Sequence, residues 1–346
     1  MTERIIDLRS DTVTLPSDAM RRAMAGAELG DDVFGEDPTV RRLETMAAGV
    51  TGKEAALLVA SGTMGNLVSI MSHCNRGDEA IVGSEVHVLH YEVAGAAGVA
   101  GVQLRPVPDD VRGRIDPVEV EQTVRGENVH LPRTALIWIE NTHNRRSGAV
   151  VPPEDIEALA DVAHRHGARV HVDGARIFNA AVALGVPVSR LAGAADSIGF
   201  CLSKGLGAPV GSLVCGSGEF IARARKNRKM LGGGMRQAGI IAAAGVYALE
   251  HMVERLAEDH ANAKLLAQGL ASLPMVELDP GTIETNIVII SVKGDWLGFA
   301  RALKQGGVLT TIPRPGDLRM VTHFGIERAD VEEALERARS AVAVLA

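Results

Sequence analysis

Short apolar runs of strand length recur along the chain, each followed by a turn and then a segment of helical periodicity. Ala55–Ala60 leads into Ser61-Gly62-Thr63, after which Met64, Leu67, Val68 and Met71 fall at helical spacing. Further strand candidates are Ala80–Gly83, Val102–Val107, Ala135–Ile139, Arg169–Val172 and Ser197–Leu202, separated by helical stretches such as Pro153–His166. A chain that alternates in this way buries its strands on both faces, which predicts an α/β fold with a mainly parallel sheet sandwiched by helices. Composition agrees: 38 glycines and only 3% aromatic residues suit close packing of helices on a sheet better than an aromatic-rich sandwich.

The texture changes after Gly239. Ile240–Leu273 reads as one long or broken helix rich in alanine. Beyond it lie strand candidates at Ile287–Val292 and Arg319–Val321, and a closing helix with an apolar stripe of Val331, Leu335, Ala338, Val342 and Leu345. The pattern predicts a large domain over residues 1–245, including an N-terminal arm, and a smaller C-terminal α/β domain over 246–346.

Charge narrows the function. With 36 basic and 43 acidic side chains the formal net charge is −7, which excludes a strongly basic nucleic-acid binder. Cys74, Cys201 and Cys215 are odd in number and far apart, without disulfide-framework or metal-ligand spacing. They point to a reducing, cytoplasmic compartment. The Met1-Thr2-Glu3-Arg4 start lacks signal-peptide character, and no apolar run reaches membrane-spanning length. No metal site is expected, because His164 and His166 sit at the end of a charged helix without a third ligand.

Two segments carry the chemistry: Arg169-Val170-His171-Val172-Asp173-Gly174-Ala175-Arg176 and Cys201-Leu202-Ser203-Lys204-Gly205-Leu206-Gly207. Each sets an ionisable residue just past an apolar strand. In a parallel sheet the carboxyl ends of the strands line one edge, so Asp173 and Lys204 can meet there. The glycines after Lys204 leave its amine open to a carbonyl, and partial desolvation favours nucleophilic use. A carboxylate opposite such a lysine suits pyridoxal 5'-phosphate, because it keeps the pyridine nitrogen protonated. Ser61-Gly62-Thr63-Met64-Gly65-Asn66 opens a helix whose free N–H groups and dipole can receive the phosphate, or which Ser61 or Thr63 simply caps.

The ordered set of motifs resembles the low-specificity L-threonine aldolases, of the beta-eliminating lyase family and the fold type I, aspartate-aminotransferase-like pyridoxal-phosphate enzymes. The resemblance spans nearly the whole chain. It rests on Asp7–Thr14, Gly30–Thr39, Ser61–Asn66, Glu140–Asn144, His171–Arg176, Leu202–Ser212, Gly232–Gln237 and Arg319–His323. It implies Lys204 as the Schiff-base lysine, Asp173 as the partner of the pyridine nitrogen, and Gly62 and Thr63 as part of the phosphate cradle. It places Arg176 near the ring oxygen and the substrate carboxylate, has Arg319 clamp that carboxylate with Ser10 beside it, and sends Arg236 to the phosphate in a neighbouring subunit. His87 matches a histidine that stacks on the ring and His143 a second active-site histidine; either can take the β-hydroxyl proton. His90 either faces the same cleft or is solvated. Phe34 stands where some relatives carry tyrosine, which removes a phenolic hydroxyl and leaves an aromatic expected in the core.

The reaction so implied is reversible cleavage of L-threonine, L-allo-threonine and related β-hydroxy-α-amino acids to glycine and an aldehyde. The implied partners are a small amino acid and further copies of the chain, a dimer at least and by expectation a homotetramer with shared sites. A β-eliminating lyase or aminotransferase would share Lys204 and Asp173, and a catalytically silent binding protein is the alternative outside enzymes. A nucleotide-binding reading is disfavoured, since Ser61–Asn66 is neither a dinucleotide fingerprint nor a Walker loop.

Overall fold

The computed structural model describes residues 4–345. Seven strands form the main sheet: β1 (Ala55–Val59), β2 (Glu79–Gly83), β3 (Gln103–Val107), β4 (Thr134–Glu140), β5 (Arg169–Asp173), β6 (Ser197–Cys201) and β7 (Ser212–Gly216), in the spatial order β1-β7-β6-β5-β4-β2-β3. Every adjacent pair is parallel except those involving β7, which runs antiparallel to both β1 and β6. The mainly parallel α/β sheet expected from the sequence is present, with one strand unforeseen. Only a loop separates β6 from β7, too short for the helical crossover that a parallel return requires, so the chain doubles back directly.

Strands β4 to β7 are buried throughout apart from Arg169 at the start of β5. Such runs lack period-2 alternation because helices cover both faces. The expected long helix is broken into Gly239–His251 and Leu256–Ala271. A separate antiparallel sheet joins Val276–Glu277, Ile287–Val292 and Asp317–Val321, packed beneath Leu256–Ala271 and the closing helix Arg328–Leu345. That helix buries Val331, Leu335 and Ala338, while its end emerges into solvent at Leu345.

The boundary expected at Gly245 falls inside the helix Gly239–His251, whose Ala242, Ala244 and Val246 belong to the larger core together with Met252 and Leu256. The second core begins at Ala263 and takes in Ile6 and Leu8 from the opposite end of the chain. The N-terminal arm therefore sits with the smaller unit: Ile6–Asp7 pairs in parallel with Val308–Leu309, and Leu8 O accepts from Val321 N at 2.8 Å. Backbone pairing, invisible to hydrophobic periodicity, decides this placement.

The acidic Gly30–Thr39 segment is a structural clamp. Asp37 caps the helix Pro38–Thr51 by accepting from Thr39 N and Val40 N, and its second oxygen accepts from Gly239 N at 2.8 Å. Asp32 pairs with buried Arg228 at 2.6 Å. Phe34 is 73% exposed, so the expectation of a core aromatic is overturned: it rides the outer face of a short turn whose buried position is given to Asp32.

Candidate active site

The carboxyl ends of β4, β5 and β6 and the start of the helix Gly62–His73 converge on a cavity of about 160 Å³. Asp173 is the last residue of β5 and only 4% exposed. Its Oδ2 accepts from Asn66 Nδ2 at 2.9 Å and its Oδ1 from Ala175 N at 3.2 Å. Burial, together with the nearby carboxylates of Glu140 and Glu92, pushes its pKa up to about 6, against the opposing charges of His87 and Lys204. A buried carboxylate in this state is stabilised by any cation brought against it.

Lys204 reaches the same cavity from the loop after β6. Its backbone carbonyl accepts from Gly207 N at 2.8 Å, closing a tight turn that needs the positive φ of +77° at Gly207. Among the described residues its amine makes no hydrogen bond or ion pair.

Across the cavity, Ser61 caps the helix by accepting from Met64 N, which leaves the N–H groups of Gly62 and Thr63 outside any helical pairing. A Cβ on Gly62 would lie 2.9 Å from Cys201 Sγ and 3.9 Å from the Ser212 hydroxyl, itself buried without a partner. The helix start thus approaches the sheet as closely as only glycine allows, and presents a concave run of donors to an anion.

His87 opens a one-turn helix, His87–His90, and lines the cavity. Its Nδ1 bonds Glu92 Oε1 at 2.8 Å, and its backbone N–H donates to Glu140. Burial lowers its pKa, but the Glu92 bond and the charges of Asp173 and Glu140 outweigh burial and hold it above the usual histidine value. His90 is exposed and bonds Ser84 O.

The remaining sequence candidates are placed differently from expectation. His143 is fully buried, with neither ring nitrogen in a hydrogen bond and Glu140 4.0 Å away. The cavity wall uses Thr142 and Asn144 instead, and Gly113 packs so tightly that a Cβ there would stand 2.3 Å from the His143 ring. Thr142, at a φ of +57°, turns the chain so that its neighbour points inward to the protein. Arg176 does line the cavity, but its Nε and Nη2 are both engaged by Asp11 at 2.7 Å. Arg319 lies just behind the wall, donating to Arg9 O at 3.2 Å and to Asn144 Oδ1 at 3.0 Å, with its Nε buried and unpaired. Burial and the Arg176 charge lower its pKa to about 10, against the pull of Asp11. Ser10 is spent on the turn that it caps, accepting from Thr12 N. Arg236 is largely exposed, paired with Asp31 at 3.1 Å, and away from this cavity. His164 and His166 pair with Asp196 and Glu121 on the surface.

Four groups that shape the site carried no assigned role in the sequence: Asp11, Asn66, Glu92 and Glu140. Asp11, Asn66 and Glu140 lie inside the motif segments, and Glu92 lies five residues beyond His87. Their signal was an acidic or amide residue in an otherwise apolar neighbourhood.

Among known proteins, the family model described as beta-eliminating lyase matches residues 7–293. The chain belongs to the beta-eliminating lyase family. It is 46% identical to a probable low-specificity L-threonine aldolase 2 of Arabidopsis thaliana over 96% of both chains. It is 42% identical to the low specificity L-threonine aldolase of Escherichia coli strain K12, covering 98% of this chain and all (100%) of that one. Among solved structures, a threonine aldolase of Leishmania major superposes with a TM-score of 0.83 at 17% identity, over 97% of this chain and 99% of that one, a likeness of fold. Membership in this family of fold type I enzymes fits a lysine, a carboxylate and a helix start meeting at one sheet edge.

Proposed function

We propose that the protein is a pyridoxal-phosphate-dependent aldehyde-lyase that cleaves L-threonine, L-allo-threonine and related β-hydroxy-α-amino acids to glycine and an aldehyde, reversibly. The observation that carries the reading is the convergence of the unpaired Lys204 amine, the buried Asp173 carboxylate and the Gly62 helix start on one cavity. The residues fit the group: a cradle that a Cβ would fill, and a carboxylate pushed up to about 6 by burial and neighbouring carboxylates. The cofactor supplies, when bound, the electron-poor ring that takes up the electron pair of the broken Cα–Cβ bond.

The chain's own residues do the rest. Lys204 would hold the cofactor aldehyde, and Asp173 would keep a proton on the ring nitrogen. The N–H groups of Gly62 and Thr63 cradle the phosphate, joined by Arg236 from a second copy, whose exposure in the single chain supports that role. Arg319 and the free Nη1 of Arg176 receive the substrate carboxylate, with Arg319 exchanging its bond to Asn144. Ser10 stands beside Arg319. His87, which lines the cavity, would lie against the bound ring and accept the β-hydroxyl proton at Nε2; as that O–H is lost the C–O bond becomes the aldehyde carbonyl, and the same imidazole returns the proton to Cα to give glycine. His143, set behind Glu140, contributes through that carboxylate.

Large apolar side chains left in solvent, among them Leu15, Phe34 and Val93, support assembly into a homodimer at least, and into the homotetramer that the family resemblance implies. Three buried free thiols support a reducing cytoplasmic setting, and among the described residues no helix is long and apolar enough to cross a membrane. The two cores support a domain division within the helix Leu256–Ala271, between Leu256 and Ala263.

Lys204→Ala tests the assignment. Borohydride reduction of the cofactor-saturated parent should tag the peptide containing Lys204, and the variant should lose both the tag and aldehyde release from threonine. A tag on another lysine, or undiminished acetaldehyde formation, overturns it; pyruvate and ammonia from the parent in place of acetaldehyde would assign β-elimination instead.

A further inference from the structure

His87 is flanked by a hydrogen-bonded chain that none of the roles above uses. Glu92 Oε1 receives two donors, His87 Nδ1 at 2.8 Å and Asn66 Nδ2 at 2.7 Å. The same Asn66 nitrogen donates its other hydrogen to Asp173 Oδ2 at 2.9 Å. Both amide hydrogens of one asparagine are thus divided between two carboxylates, and the sequence His87–Glu92–Asn66–Asp173 is unbroken. Asn66 and Glu92 are 5% and 6% exposed, so these bonds are made without competition from bulk water.

The backbone beside Glu92 supplies a second, independent observation. Val93 and Ala94 both adopt φ of +53°. A β-branched residue in the left-handed region is strained and persists only where the surroundings impose it. Packing within the chain does not impose it, since Val93 is 98% exposed in the single chain. What holds the segment is Glu92, buried and doubly bonded on one side of the strain, with its carbonyl accepting from Gly95 N at 2.9 Å on the other. The strained pair thus directly follows the buried carboxylate and is bracketed by its hydrogen bonds.

We propose that Glu92 and Asn66 are positioning residues that fix His87 as the Nδ1–H tautomer, with Nε2 turned to the cavity, and tie its charge to that of Asp173. A carboxylate only accepts, so the proton of a neutral His87 sits on Nδ1 and the lone pair on Nε2. The groups facing the imidazole from every packed element are consistent with this. Glu140 at the end of β4 accepts from the His87 backbone, Asp173 stands at the end of β5, and Tyr91 lies with its ring 5.2 Å away, held by Arg145. Lys204 faces Asp173 from the far wall. Of the acidic groups, only Glu92 contacts the ring itself. The tautomer is independent of the reaction; its use in accepting a β-hydroxyl proton rests on the function proposed above.

The experiment compares the parent with Glu92→Gln and Glu92→Ala by nitrogen-detected histidine NMR on the cofactor-free protein, and by pH profiles of threonine cleavage on the holoenzyme. In the parent, neutral His87 should show Nδ1 protonated and Nε2 bare, with a midpoint above that of a solvated histidine. Glu92→Gln should keep the tautomer through its side-chain carbonyl yet lower the midpoint by about one pH unit, moving the acid limb of kcat in the same direction with little change in KM. Glu92→Ala should lose the tautomer preference as well, and if it fails to fold the glutamine variant alone decides. An unchanged midpoint in Glu92→Gln, or an Nε2–H tautomer in the parent, overturns the proposal. A parent that shows the expected tautomer but releases no aldehyde leaves the relay standing and refutes the proposed function.

Discussion

Removal of Asp11 should destabilise the protein chiefly by stranding a buried positive charge. The Asp11 and Arg176 side chains are 0% and 4% exposed and joined by two 2.7 Å bonds in bidentate geometry, with Asn286 Nδ2 a further donor at 3.3 Å. Burial raises the Asp11 pKa, but the charge and hydrogen bonds of Arg176, helped by Lys204 and Arg319, prevail and hold it well below the usual carboxylate range. Asp11→Ala would leave Arg176 buried without a counter-ion and beside Arg319, whose pKa is already lowered. Breaking a buried pair in this way costs about 3–5 kcal/mol. For a chain of 346 residues unfolding in one transition, at about 2.1 cal/mol/K per residue, that is a fall in Tm of roughly 4–7 °C. Calorimetry of the two cofactor-free proteins at equal concentration measures it.

The same pair has a pH dependence of definite sign. A carboxyl whose folded pKa is depressed contributes stability in full above its unfolded value of about 3.9, and loses it as pH falls toward the folded value. The gap in Tm between parent and Asp11→Ala should therefore be constant from neutral pH down to about 5 and narrow below about 4. A Tm within about 1 °C of the parent at neutral pH would mean that solvent or a rearranged partner already neutralises Arg176.

Two further outcomes follow from other parts of the molecule. Gly62→Ala places a methyl 2.9 Å from Cys201 Sγ, so the helix start must retreat; pyridoxal phosphate affinity, read by fluorescence titration, should fall at least tenfold, about 1.4 kcal/mol, and an unaltered affinity would remove the cradle from this helix. His73 and His171 share the Ser197 hydroxyl at 2.6 and 2.7 Å, and burial lowers His73 to about 4 and His171 further below its usual range. Because both stay neutral when folded, the unfolded chain binds more protons below pH ~6.5; stability should drop by about 3 kcal/mol for His73 alone between there and pH ~4, and His73→Phe should flatten the dependence of Tm on pH across that window.

The fold was legible where one periodicity governed a whole element. Strands β1 to β6 were anticipated to within a residue or two at either end, because each is a short stretch centred on apolar residues and set off by turn residues or helical stretches. Ser212–Gly216 escaped because no helical stretch separates it from β6, and its antiparallel direction is set by the length of the loop before it. The arm at Ile6–Asp7 escaped because two residues carry no period. At the site, Lys204, Asp173, Gly62 and Thr63 could be read from position alone, since strand ends and helix starts are fixed by topology. Arg176, Arg319 and His143 could not be placed this way. Their surroundings depend on partners more than a hundred residues away, such as Asp11, or on a left-handed turn at Thr142, and a motif match records that a residue is present without recording what it is paired to.

The charges around the cavity explain why so many ionisable groups crowd into so small a volume. At one end Arg176 and Arg319 stand against Asp11, which leaves about one positive charge, the complement of a single carboxylate. At the other, Asp173, Glu140 and Glu92 gather round His87, an excess of negative charge that keeps the Asp173 pKa up near 6. In the proposed function that excess would be balanced by a protonated ring nitrogen at Asp173, so the anionic end would favour the cationic form of the cofactor. An α-amino acid entering this field as the proposed substrate would turn its carboxylate toward the arginines, which would direct its β-carbon and hydroxyl toward His87 at the other end. In the proposed function, two opposed charge clusters would thus orient the amino-acid head before any contact with the β-substituent, and the assay that tests this is a comparison of kcat/KM across β-hydroxy-α-amino acids that differ only in that substituent.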